Sequence, residues 1–155
     1  MRRALALGAC TGALLAGCGA GEPVTPAACL EGPGSYLTAL RQVPAPVRLA
    51  GQTEISSCLV EDQAAGELSR VGTALVKAAT ALTATARQAA GGQANVALGY
   101  LIGAVKKGAE DTNGIHSDLV RRIETAAEFS PGGRRLPAAY RSALRRGERA
   151  GNAHG

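Results

Sequence analysis

One apolar seam limits the fold of this chain more than any other feature. From Ala64 the apolar positions fall at Leu68, Val71, Leu75, Ala78, Leu82 and Ala86. These are steps of three and four, which put them on one face of a helix. Gly91-Gly92 interrupts the run, and the steps resume at Ala97, Leu101, Val105, Gly108, Thr112, Ile115, Leu119, Ile123 and Ala126. The seam keeps its phase through Asn113-Gly114, although a glycine inside a helix costs about 1 kcal/mol. The spacing therefore predicts two long helices, about 55–90 and 93–129, joined as an antiparallel hairpin.

Folding about Gly91-Gly92 pairs residues whose numbers sum to about 183 in an αα-hairpin. Leu82 then faces Leu101, Ala78 faces Val105, Leu75 faces Gly108 and Leu68 faces Ile115. Large residues meet small ones at two of these layers, as interdigitation requires. The same register brings Glu61 near Arg122, Asp62 near Arg121 and Glu67 near His116. Exposed pairs of this kind contribute at most about 1 kcal/mol each.

Shorter elements flank the hairpin. Ser35 to Val43 reads as a short helix carrying Tyr36, Leu37 and Leu40, stopped by Pro44 and Pro46. Ser130-Pro131-Gly132-Gly133 ends the second long helix, and Pro137 opens a last one. Gly99 and Gly103 suit close helix packing, with Tyr100 and Ile102 covered by the N-terminal helix; an interface with another chain is the alternative. Composition agrees with a thin helical core. Ala, the least costly residue in a helix, occurs 32 times, as against 31 Leu, Ile, Val and Phe combined. The fold class expected is all-α, a small bundle.

The first eighteen residues have a character of their own. Met1-Arg2-Arg3 is positive, Ala4 to Ala16 is apolar, and Leu15-Ala16-Gly17-Cys18 closes the run. An apolar stretch of about 13 residues is too short for a bilayer core that needs about 20, and the pattern is that of an export signal. It resembles the signal of bacterial lipoproteins, whose lipobox is Leu, two small residues and an acceptor Cys. The resemblance covers residues 1–18 alone. It implies cleavage before Cys18, attachment of a diacylglyceryl group to its thiol, and a place on the outer side of the cell membrane or on an outer membrane. Two acyl chains give durable attachment where one would not. The expected organisation is a signal peptide at 1–17, a lipidated tether at 18–28, a bundle at 29–133 and a basic helix at 134–155.

Export also places the two remaining thiols, Cys29 and Cys58, where disulfides persist. One bond between them is expected to stabilise the fold by about 3 kcal/mol; free thiols or intermolecular pairing are the alternatives. From Cys18 onward the chain carries 15 basic and 12 acidic side chains, and the excess lies at one end. Six arginines, Arg134, Arg135, Arg141, Arg145, Arg146 and Arg149, face a single glutamate there, beside a Leu136, Tyr140, Leu144 stripe. That composition suits a segment resting on an anionic surface: lipid headgroups, an anionic wall polymer or an acidic envelope protein. The stripe docking on the bundle is the simpler alternative. Export argues against nucleic acid, and with no Trp and one Phe the chain lacks stacking platforms for single strands.

Catalytic and metal chemistry find little support. His116-Ser117-Asp118 are consecutive, so a helix would point them in different directions, and they read as a solvated surface. Glu67 and His116 lack the converging partners and Glu-x-x-His step of bundle metal sites. No cofactor and no enzymatic activity are expected. The function expected is a membrane-anchored binding or scaffolding module. A carrier or sensor is the alternative, holding a small ligand where Gly108 and Thr112 thin the seam.

Overall fold

A computed structural model describes residues 24–128 and 130–155. The signal segment expected at 1–17 and the lipid attachment expected at Cys18 lie outside the described residues. Among those described, five α-helices follow one another: α1 (Pro33–Ala39), α2 (Ala65–Gln88), α3 (Gln93–Glu110), α4 (Ser117–Glu128) and α5 (Ala138–His154). Short 3-10 turns at Ala27–Leu30, Leu40–Gln42 and Ser56–Cys58 join the early elements. The expected all-α fold is present, with a core built from Leu75, Leu98, Leu101, Val105, Ile123 and the buried tyrosines.

The α2–α3 hairpin turns where the glycines predict. Gly91 has φ +90°, a conformation open mainly to glycine, and its N–H donates to Asn95 Oδ1 at 2.8 Å. Leu82 and Thr85 share a cleft with Ala94 and Ala97 beside that turn. The first long helix is shorter than predicted, however, beginning at Ala65 instead of near 55. Residues 55–64 are instead held by the disulfide, a 3-10 turn and the side chain of Gln63.

The second long helix is two helices. Asn113 (φ +49°) and Gly114 (φ +83°) are both left-handed, and a right-handed helix cannot pass through two such residues. Thr112 closes α3 by donating its hydroxyl to Ala109 O at 2.8 Å, and Ser117 donates to Gly114 O at 2.7 Å at the start of α4. The chain therefore reverses. Gly72 lies against Leu119, and Thr83 donates to Ala126 O at 3.1 Å, so α4 runs in the same direction as α2. The apolar seam stays in phase across the break because α3 and α4 face the same core, not because the helix continues.

That reversal overturns the charge pairs of the predicted register. Glu61 bonds Asn113, Arg121 pairs with Asp118 at 2.5 Å, and His116 bonds Gln63 at 3.0 Å. Leu68 and Ile115 do share a cleft. The space at Gly108 is filled by the backbone of Ser56, which a Cβ there would strike.

Helix α5 completes an up-down-up-down bundle and packs along α3 with the same direction. The contact is backbone to backbone. A Cβ at Gly99 or Gly103 would collide with Leu144 and Glu148 main-chain atoms, and one at Gly147 or Gly151 with those of Val96 and Tyr100. The small-residue step in α3 thus serves close packing as expected, with α5 as the partner. Gly147-x-x-x-Gly151 supplies the matching step. Tyr100 is covered not by α1 but by α5 and the segment before Ser56: its hydroxyl accepts from Val47 N and donates to His154 O, both at 3.0 Å.

The disulfide joins Cys29 to Cys58 across a Cα separation of 5.5 Å. It fastens the N-terminal segment to the open end of the hairpin, and α1 lies against α2 beyond it.

Candidate functional site

The six predicted contact arginines separate into two groups. Arg134 and Arg135 are exposed in the connection before α5, where they line a cleft of about 400 Å³ with Ser130, Tyr140 and Arg87. Arg141 begins the visible face of α5 and is half-buried, whereas Arg145, Arg146 and Arg149 are exposed along its length. The stripe beside them faces inward: Tyr140 is buried and donates to Ala127 O at 2.8 Å, while Leu144 packs on the core. The stripe therefore docks on the bundle, and the exposed arginines stand on the other face of the helix. Arg87 is the residue that sequence reasoning missed. It lies in the last turn of α2, and only the bundle brings it to residues 134 and 135.

The opposite end of the bundle is rich in carboxylates, with Lys107 beside Glu61 and Asp111 and Arg121 on Asp118. Residues 57–69 and 108–120 meet there through the Glu61–Asn113 and Gln63–His116 contacts. Together they hold six carboxylates and no Lys or Arg. The N-terminal segment joins the bundle at this same end, where Gln63 Nε2 donates to Thr25 Oγ1 at 2.7 Å and to Cys58 O at 3.1 Å. His116 is fully buried behind Gln63, which corrects its reading as a solvated side chain. Burial lowers its pKa by disfavouring the imidazolium.

Two further charged groups tie elements together. Lys106 bridges Glu124 of α4 at 2.7 Å and Glu148 of α5 at 2.8 Å, and these bonds raise its pKa. Glu54 pairs with Arg48 at 2.6 Å and Lys107 at 3.3 Å. Burial works to raise the Glu54 carboxyl, but its two cations outweigh that and hold it low.

His116, Ser117 and Asp118 turn to Gln63, Gly114 O and Arg121 respectively, so they form no nucleophile–base relay with one another. Among the described residues no group of three His, Cys, Asp or Glu is placed to hold a metal ion, and no helix is long and apolar enough to cross a membrane. The seam at Gly108 and Thr112 is occupied by Ser56, leaving beside it an open cleft of about 390 Å³ that includes Glu61, Lys107 and Asp111. Comparison with known proteins finds no matching family model, no similar curated protein and no similar solved structure.

Proposed function

We propose that this chain is a lipid-anchored lipoprotein of a bacterial cell envelope, acting as a non-enzymatic helical module whose arginine-rich end contacts an anionic polymer or the acidic face of an envelope protein. The observation that carries this reading is the separation of charge along the bundle. Six carboxylates lie at the end where Thr25 joins, partly offset by Lys107 and Arg121, while Arg87, Arg134 and Arg135 gather at the other in a cleft whose described lining has no carboxylate. Residues 18–24 extend at most about 25 Å, so an anchor at Cys18 keeps the acidic end beside the membrane. The arginine end stands about one α2 length away, roughly 36 Å by helical rise, and is directed toward material beyond the headgroups.

The test is salt-dependent binding by the full-length chain. Isolated anionic wall polymer or envelope extract should retain it at low salt and release it as screening increases. Reversing Arg134, Arg135 and Arg145 to Glu should weaken retention by about tenfold or more, given about 1 kcal/mol for each exposed contact. Equal retention of this variant and the parent removes the arginines from the function. Anchoring is checked separately by the mass of a diacylated peptide beginning at Cys18.

A further inference from the structure

A groove between α2 and α4 runs along the flank of the bundle, reaching Arg87 of the arginine end at one extremity and Arg122 at the other. It encloses about 670 Å³, within the size range of small-ligand sites. Its sequence looks polar, with threonines at 80, 83 and 125. The structure reverses that impression. Thr80 donates its hydroxyl to Val76 O at 2.9 Å, Thr83 to Ala126 O at 3.1 Å, and Thr125 to Arg121 O at 2.8 Å. With their protons committed to the backbone, these side chains join Val76, Ala84 and Ala126 in an apolar wall.

Cations stand at both ends of the wall. Because α2 and α4 run the same way, Arg122 lies at the Val76 end and Arg87 at the Ala126 end. Arg121 also borders the groove but is paired with Asp118, whereas Arg122 makes no ion pair among the described residues. Among the described residues no carboxylate lines the groove. An apolar trough with Arg122 at its Val76 end fits an apolar chain bearing a carboxylate or phosphate.

A protein partner fits poorly. The groove spans Val76 to Arg87, about 16 Å by helical rise, between helices normally about 10 Å apart. That footprint is several-fold smaller than the ~800 Å² per partner of a stable protein interface.

We propose that the α2–α4 groove binds a single-chain amphiphilic anion, its chain along Val76, Ala84 and Ala126 and its head at Arg122. This goes beyond the envelope-module reading and does not depend on it. The head could belong to a free fatty acid or to a lysophospholipid, and the test separates the two.

The detergent-free full-length chain is titrated calorimetrically with dodecanoate, lauroyl lysophosphatidylglycerol and dodecyltrimethylammonium, each below its micelle concentration. The anions should bind once per chain, at least tenfold tighter than the cation. The tighter anion identifies the source. Ala84 is exposed, so Ala84→Trp should fill the groove without unfolding the bundle and abolish binding. Arg122→Glu, also at an exposed position, should weaken anion binding about tenfold and carries the test if the tryptophan variant does not fold. The proposal fails if no saturable binding occurs, if the cation binds as well as the anions, or if a folded Ala84→Trp chain binds like the parent.

Discussion

Alanine in place of Gly151 should destabilise this protein, whereas alanine in place of Gly72 should stabilise it. Both glycines lie inside helices, where Ala is favoured over Gly by about 1 kcal/mol. They differ in what a new Cβ meets. At Gly72 the nearest atom is Leu119 Cδ1 at 3.7 Å, an ordinary van der Waals contact at the end of a flexible side chain. At Gly151 the Cβ runs into the carbonyl of Tyr100 and comes within 2.9 Å of Ala104 N. Backbone atoms cannot rotate aside, so α5 must lift off α3. Lifting also strains the Tyr100–His154 and Lys106–Glu148 contacts that cross the same interface.

Overpacking costs about 1–3 kcal/mol in a well-packed core, and the rigid obstacle puts this site at the upper end. Subtracting the propensity gain of about 1 kcal/mol leaves a net loss of about 2 kcal/mol. For a domain of this size that lowers Tm by about 7 °C, while Gly72→Ala raises it by about 3 °C. Thermal unfolding followed by circular dichroism, with the disulfide intact, reads both. If Gly151→Ala matches or exceeds the parent in stability, α3 and α5 do not meet through their backbones and the bundle's last helix is misplaced.

The remaining stability predictions concern the acidic end. Reducing the Cys29–Cys58 bond, which spans 29 residues, should remove about 3.5 kcal/mol in the chain-entropy model; urea unfolding with and without reductant measures it, and an unchanged midpoint would contradict the clamp. His116 has a folded pKa below its ordinary 6.5, so the unfolded chain binds the extra proton first. Its contribution is therefore complete above about pH 6.5 and declines as pH falls from there toward the folded value. Urea midpoints between pH 7.5 and 5 should drop in the parent and flatten in a His116→Gln variant; identical slopes in the two chains would rule out His116 as the titrating group.

Much of the local order was legible from residue spacing. The Leu68-to-Ala86 steps predicted α2, the glycine pair at 91–92 predicted the hairpin turn, and Pro137 opened α5. The wrong boundary at 113–114 had a specific cause. Hydrophobic period reports which residues face the core, and it is blind to the direction in which the chain travels past that core. Asn113-Gly114 was a visible turn signal, set aside because the apolar phase continued through it. His116 was misjudged for a related reason: a lone polar residue in a helical pattern reads as exposed unless its buried partner, here Gln63 from 53 residues earlier, is known.

The sequence by itself determined that the chain is helical, where its apolar faces lie, and that its excess positive charge collects in the last twenty or so residues; the Cys29–Cys58 bond it made the expected pairing, with alternatives left open. These are properties of neighbours along the chain, set by backbone propensity, side-chain period and residue count. Tertiary structure alone decided that α4 turns back beside α2, that α3 and α5 run together through matched glycines, that Arg87 joins Arg134 and Arg135, and that three threonines line an apolar groove. Each of those depends on atoms brought together from distant positions, where packing and committed hydrogen bonds decide what a side chain presents.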